Sequence, residues 1–175
     1  MTGSPTFRLV DTVVVAADPR LVERFLLDPG CFARWHGIRD ENFHVSTSAL
    51  QIGTSIESVV RLGPLRFGYV NIVSEHVPGR RLGIRTTRGL ADLDACISWE
   101  PAEGGTRIEK VVDGRFTEAK AWLWPLLAPA VRHRARKVLE DLKVLVETGD
   151  YVFTVPSQLT PHPPRCPHEH PPDII

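Results

Sequence analysis

Residues 119–147 read AKAWLWPLLAPAVRHRARKVLEDLKVLVE, with an apolar head, a basic middle and an amphipathic rear half. Three readings compete for this stretch: a membrane anchor, a basic binding helix, and a helix that roofs a sheet. The apolar run Ala121–Val131 is interrupted by Pro125 and Pro129 and is about half of the roughly 20 residues a bilayer-spanning helix needs, so the anchor fails on length. The basic cluster 132–137 is followed by Glu140, Asp141 and Glu147. Arg136–Glu140 and Lys137–Asp141 then stand at i,i+4 spacing, which reads as a solvated face rather than a site for an acidic partner. A packing helix remains. Val138, Leu139, Leu142, Leu145 and Val146 form one apolar stripe, which continues backwards through Ala135, Val131 and Ala128 or Leu127 to Trp124. Gly149 is a natural stop. Each proline removes an amide donor and clashes with the preceding turn, so the spacing predicts a bent or broken segment up to about residue 129, poised as a movable lid, and a regular helix after it.

Such a helix needs a sheet to cover, and the preceding sequence supplies one. FRLVDTVVVAA alternates with β-branched residues and predicts a strand. In the segment that follows, Asp18 is a good N-cap and Pro19 suits the first helical position, while Leu21, Val22, Phe25 and Leu26 share a face. Asp28-Pro29 ends that helix, because the residue before proline is pushed out of the α region. A short helical turn, GCFARW, leads to Trp35 and His36. From about Phe43 to Phe116, six short strands are separated by Gly and Pro turn signals, the pattern of an antiparallel meander. The order strand, two short helices, six strands, long helix is an α+β arrangement. A strongly twisted seven-stranded sheet curves, and one helix cannot fill its concavity, which leaves room for a small molecule.

Composition narrows the function classes. The 175 residues are enough for one domain, and 42% hydrophobic with 24% charged residues is ordinary for a globular chain. Lys+Arg and Asp+Glu both number 21, so the electrostatic footprint of a general nucleic-acid binder is missing. Cys31, Cys96 and Cys166 are too few and too scattered for a disulfide framework, and the N-terminus has no signal-peptide pattern, so a cytoplasmic location is expected. Phosphate loops, nucleophile elbows and zinc-ligand motifs are missing from the sequence.

The segments VVVAADPRLVERFLLDPGCFARWH, HVPGRRLGIRT, SWEPAEGGTRIE and VLEDLKVLVE, in that order, resemble the SRPBCC or START-like superfamily, in particular its polyketide cyclase/dehydrase and lipid transport branch. The resemblance covers about residues 7 to 148. It implies a helix-grip fold, a curved seven-stranded antiparallel sheet wrapped around the C-terminal helix, with a ligand cavity beneath that helix. It does not imply one activity, since the superfamily includes carriers, binders, cyclases and co-chaperones.

Candidate ligand-binding residues follow from register. On ADLDACISWE, Leu93, Ala95, Ile97 and Trp99 share one face, while Asp92 and Asp94 fall on the other. There they would meet Arg81 and Arg85 as cross-strand ion pairs on the solvent side, so Trp99 is the better cavity candidate. LRFGYVNIVSEH leaves two registers open. If the Phe67/Tyr69 face points inward, Tyr69 and Asn71 become ligand-orienting polar groups. Trp122 and Trp124 would stand near a cavity mouth, but two residues apart at most one can face it. Trp35-His36 reads either as a ligand-facing ring with an acid/base or, preferably, as a Trp35 plug with His36 exposed at the turn.

The expected function is therefore binding or transport of a hydrophobic small molecule such as a lipid or polyketide. Trp35, Tyr69, Asn71, Trp99, Trp122 and Trp124 are its candidate contacts; no cofactor, resident metal, nucleic acid or integral membrane segment is expected. Two alternatives stand beside it: an aromatase/cyclase-like enzyme using Tyr69, Asn71, His44 or His36, and a protein-interaction module. The domain is expected over 1–148. Beyond it, 149–175 holds seven of the chain's 15 prolines and reads as an extended tail, with YVF docking back on the domain. His162, Cys166, His168 and His170 of that tail match no standard zinc spacing.

Overall fold

The computed structural model describes residues 6–38, 43–62, 64–116, 122, 124–151 and 153. Strand β1 (Thr6–Val15) is followed by helices α1 (Pro19–Leu27) and α2 (Pro29–Trp35), then by β2 (Phe43–Val45), β3 (Ser55–Leu62), β4 (Leu65–Val77), β5 (Arg81–Arg88), β6 (Ala91–Ala102) and β7 (Gly105–Phe116), and by helix α3 (Trp124–Thr148). The strands form one antiparallel sheet in the order β1-β7-β6-β5-β4-β3-β2. Six strands form the expected meander, and β1 returns to its far edge by pairing with β7 from Thr6↔Arg115 to Val15↔Thr106.

The helix signals operate as local chemistry predicts. Asp18 caps α1, its carboxylate accepting from the Arg20 amide at 2.8 Å. Asp28 closes α1 and opens α2, where its Oδ1 accepts from the Cys31 amide at 2.8 Å. Val22, Phe25 and Leu26 carry α1 into the core.

Helix α3 departs from expectation. It runs unbroken from Trp124 to Thr148 with Pro129 inside it. Pro125 is the second helical residue, where the amide would have no intrahelical partner in any case. The single bond lost at Pro129 would have reached Pro125, so the disturbance is confined to the first turn. The expected break before residue 129 is therefore absent from 124 onward; the rest of the expected lid, 117–121 and 123, lies outside the described residues. Gly149 takes φ 66° and ends the helix as predicted.

Two buried clusters flank the concave face. The larger joins α1, α2 and the rear of α3 to the sheet through Val22, Leu26, Trp35, Ile108, Leu139 and Leu142. The smaller gathers Leu90, Ala91, Phe116 and Leu127 under the front of α3, with Phe7 and Trp124 packed against them. On the opposite face, Arg85–Asp94 (2.7 Å), Arg107–Glu100 (3.8 Å) and Arg8–Asp113 (3.4 Å) are the solvent-side cross-strand pairs that the alternation implies. Arg81 pairs with Glu75 (3.6 Å) rather than with an aspartate, because its ladder partner on β6 is Ser98.

Past Gly149, Tyr151 and Phe153 dock on the small helices. Phe153 meets Phe25 edge-on at 5.0 Å, and the Tyr151 hydroxyl donates to Asp28 Oδ1 at 2.9 Å. The remaining tail, including His162, Cys166, His168 and His170, lies outside the described residues. Among the described residues, no helix is long and apolar enough to cross a membrane.

Candidate functional site

Between the two clusters the core does not close. A cavity of about 200 Å³ lies there, walled by residues of β1, α2, β3 to β7 and α3. Its walls are mainly apolar, with Leu9, Ile84, Ile97 and Val112 from the sheet and Val131, Ala135 and Val138 from the helix. The volume is below the ~300–1,000 Å³ usual for drug-sized ligands, which sets the scale at a compact molecule. A larger groove of about 850 Å³ runs over the outer surface beside Arg80, Arg81, Glu100 and Arg107. It is open and charged, and two of its arginines are already paired with carboxylates.

Register decides which polar groups enter the cavity. On β4, Tyr69 and Asn71 point inward opposite Ser58 and Ile56. The Phe67/Tyr69 face is thus the inner one. It stays inner only as far as Val73, because an irregularity between Val73 and Glu75 turns His76 to the Leu82 side. There His76 meets Glu23 of α1 at 3.3 Å. The Asn71 amide oxygen accepts from the Thr86 hydroxyl at 2.7 Å, which leaves its NH₂ as the group free to meet a ligand. Burial pushes the Tyr69 phenol up to about 12, with Arg134 opposing, so it is a neutral donor in the working range. Its ring lies against Gly89, where a Cβ would come within 2.5 Å of Cδ1.

Three further polar groups line the cavity: His36 and Arg134, which the sequence reads as exposed or solvated, and Lys110, to which it assigns no role. His36 lines the cavity rather than standing exposed at the turn. The α2 helix ends so that its ring packs on Phe32 and Trp35, at 4.0 and 3.8 Å between centroids. Its Nδ1 lies 3.0 Å from the Phe32 carbonyl, which can only accept. Nδ1 therefore carries the proton, and Nε2 is left as an acceptor. Burial, then the charge of Lys110, holds this imidazole well below its ordinary range and hence neutral.

Lys110 is on β7, whose inward positions are Thr106, Ile108, Lys110, Val112, Gly114 and Phe116. Only 8% exposed, it extends until its Nζ is 5.4 Å from the Trp35 ring centroid. Burial, then Arg134, pushes its ammonium down to about 8, with Asp11 opposing. Arg134 belongs to the cluster read as solvated, yet it shares the inner face with Val131 and Val138. Its guanidinium donates to the His36 carbonyl at 2.6 Å. Lys137–Asp141, from the same cluster, does form the predicted surface pair at 2.7 Å.

The six candidate contacts are distributed unevenly. Tyr69 and Asn71 line the cavity. Trp35, 1% exposed, stands behind its wall under Lys110, as the plug that the sequence favoured. Trp99, 2% exposed, is inward but belongs to the larger core cluster, beyond the cavity. Its ladder partner Ile108 is deep in that cluster, so the inner face at this level is filled by packing. Trp124 stacks on Phe7 at 4.4 Å and 8° and so supports the wall from behind. Trp122 is 72% exposed and is not among the residues that wall the cavity. His44 is exposed on β2 and faces away from the cavity. Among the described residues, no group of three or more metal-ligating side chains occurs.

A curved sheet gripping a long C-terminal helix over an apolar cavity defines a helix-grip protein of the SRPBCC class. A model of the family described as polyketide cyclase / dehydrase and lipid transport matches residues 6–147, and the chain belongs to that family. Solved structures agree on the fold. An uncharacterized protein from Rhizobium leguminosarum is 16% identical with a TM-score of 0.66, covering 83% of this chain and 97% of its own. Norcoclaurine synthase from Thalictrum flavum, in complex with dopamine and hydroxybenzaldehyde, is 13% identical with a TM-score of 0.63, covering 86% and 91%. The protein Ara h 8.0201 is 9% identical with a TM-score of 0.63, covering 82% and 99%. No curated protein matches the chain significantly.

Proposed function

We propose that the protein binds a hydrophobic small molecule of compact size, such as a lipid fragment or a polyketide-type metabolite, in the cavity between sheet and α3. The observation that carries this reading is the split core: large apolar side chains pack fully on either side, yet the space they flank is left unfilled. Empty apolar volume in a core is destabilising, so a ligand that fills it stabilises the fold. Tyr69 and Asn71 are the polar contacts that orient it.

Fluorescence titration of the full chain with the neutral probe N-phenyl-1-naphthylamine tests the reading. Saturable binding is expected, lost when Ala135→Phe fills the cavity. Binding that is equally strong in that variant would place the probe on the surface and sink the proposal.

A second reading, a cyclase-like enzyme, is favoured by one observation: His36, Tyr69 and Lys110 surround the same cavity, with the lysine losing its proton near pH 8. Turnover of a poly-β-ketone thioester to a dehydrated ring, lost in Lys110→Met, would support it. Absence of turnover, with binding intact, would leave the carrier.

A further inference from the structure

Lys110 and Arg134 place two cations against one apolar cavity, from opposite walls. One projects from the sheet and the other from the helix. Buried charge is ordinarily paired, and an unpaired one is costly because the surroundings cannot replace its hydration. For Lys110, no described residue offers a hydrogen-bond acceptor to Nζ, which stands over the face of the Trp35 ring. Asp11 is its ladder partner on β1 and attracts it, but the two make no ion pair, and burial and Arg134 outweigh that pull. Arg134 spends one donor on a neutral backbone carbonyl and keeps the rest of its guanidinium fork. Asp141 attracts Arg134 but is held by Lys137. The other groups facing the two cations are the neutral imidazole of His36 and the neutral phenol of Tyr69, and neither brings a negative charge.

The cavity thus has more positive than negative charge on its walls, and what it lacks is an anion. We propose that the ligand is an amphipathic carboxylate, its apolar body between the sheet and α3 and its carboxylate between Lys110 Nζ and the Arg134 guanidinium. This rests on the proposed ligand-binding reading and narrows it. The carboxylate would accept from both cations, as the fork geometry of arginine favours. Tyr69 and the Asn71 NH₂ are further donors on the same cavity, whereas a ligand cation would meet two like charges. Since an anion stabilises the ammonium form, binding would draw a proton onto Lys110 wherever the free protein has partly lost it, at and above about pH 8.

The test is calorimetric titration of the full chain with 1-naphthoate and decanoate, each against its uncharged primary amide. The acid is expected to bind roughly tenfold or more tightly than its amide at pH 7. That ratio should fall towards one in Lys110→Met and separately in Arg134→Gln, so either variant suffices if the other misfolds. Repeating the titration at pH 8.5 in two buffers of different ionisation enthalpy should show net proton uptake with the acids only. Equal affinity for acid and amide, or a preference for the acid that survives in both variants, would overturn the carboxylate site while leaving the apolar cavity as the binding place. Failure of acids, amides and N-phenyl-1-naphthylamine alike would overturn both.

Discussion

Arg134 is hydrogen-bonded at 2.6 Å to the backbone carbonyl of His36, so the middle of α3 is tied to the end of α2 at the cavity wall. Among the basic residues of the RHRARK cluster it is the one that lines the cavity, four residues before Val138 on the inner face of α3. A helix that only covered a sheet would gain by having an apolar residue there.

Replacing Lys110 should stabilise the ligand-free protein. Its ammonium is pushed from an ordinary 10.5 to about 8, so below pH 8 the folded state bears the cost of a charge that the unfolded chain carries in water. That cost is on the order of 3 kcal/mol. In urea titrations at pH 7, Lys110→Met should therefore be more stable than the wild type by up to this amount. The difference should shrink as pH rises from 8 towards 10.5, where both states of the wild type become neutral at this position. A less stable variant at pH 7 would mean that Nζ has a buried partner after all.

His36 predicts an acid sensitivity of the opposite range. Its imidazole is neutral in the folded protein and titrates near 6.5 when unfolded. Stability from this group is intact above pH 6.5 and falls as the pH is lowered below it, since the unfolded chain then binds the extra proton. The slope of unfolding free energy against pH between 6.5 and 5 should flatten in His36→Gln. An NMR titration that finds the ring protonated at pH 6 in the folded state would contradict the prediction.

The Tyr69 ring depends on the absence of a side chain at residue 89. A Cβ there would come within 2.5 and 2.6 Å of two ring atoms. Gly89→Ala should cost about 1–3 kcal/mol and weaken binding of N-phenyl-1-naphthylamine, because the ring must move. Gly68→Ala, on the neighbouring strand position with open space around it, is the control and should change stability by less than about 0.5 kcal/mol.

The segment after α3 contributes to the small helices. Tyr151→Phe removes a hydroxyl donor from Asp28, which also caps α2, and should cost about 1–2 kcal/mol in thermal or urea unfolding. Phe153→Ala should cost a similar amount by removing the edge-on contact with Phe25 and the ring beneath the Arg24 guanidinium, 4.2 Å away. No effect from either change would mean that the docking does not persist in solution.

The element order was legible because it depends on short-range signals: alternation, Asp-Pro junctions, turn glycines and one stripe of period 3.6. The inward face of β4 was not, because both of its faces carry apolar residues and a mid-strand irregularity changes sides after Val73. The cavity cations were hidden differently. Lys110 alternates strictly with Ile108 and Phe116, and Arg134 follows the spacing of Val131 and Val138, so position alone placed both inward. For Arg134 the basic cluster around it reads as a solvated face, whereas Lys110 belongs to no motif that singles it out, although its register is inward. The prolines erred in the other direction. The rule for helix interiors predicts a break at Pro129, but the bond this proline removes reaches no further than the second residue of the helix.

The sheet edge formed by β1 and β7 also sets when the cavity can exist. Phe7 and Gly114 are ladder partners separated by more than a hundred residues, and the ring of Phe7 fits where Gly114 has no Cβ before stacking on Trp124. Such non-local closure comes late and slowly in folding, since the loop entropy must be spent before the contacts repay it. During synthesis, the N-terminal strand must wait without its ladder partner β7 until residues 105–148 have emerged. A ligand of this cavity therefore has nothing to bind on the growing chain, and its first encounter with the protein coincides with the completion of the fold.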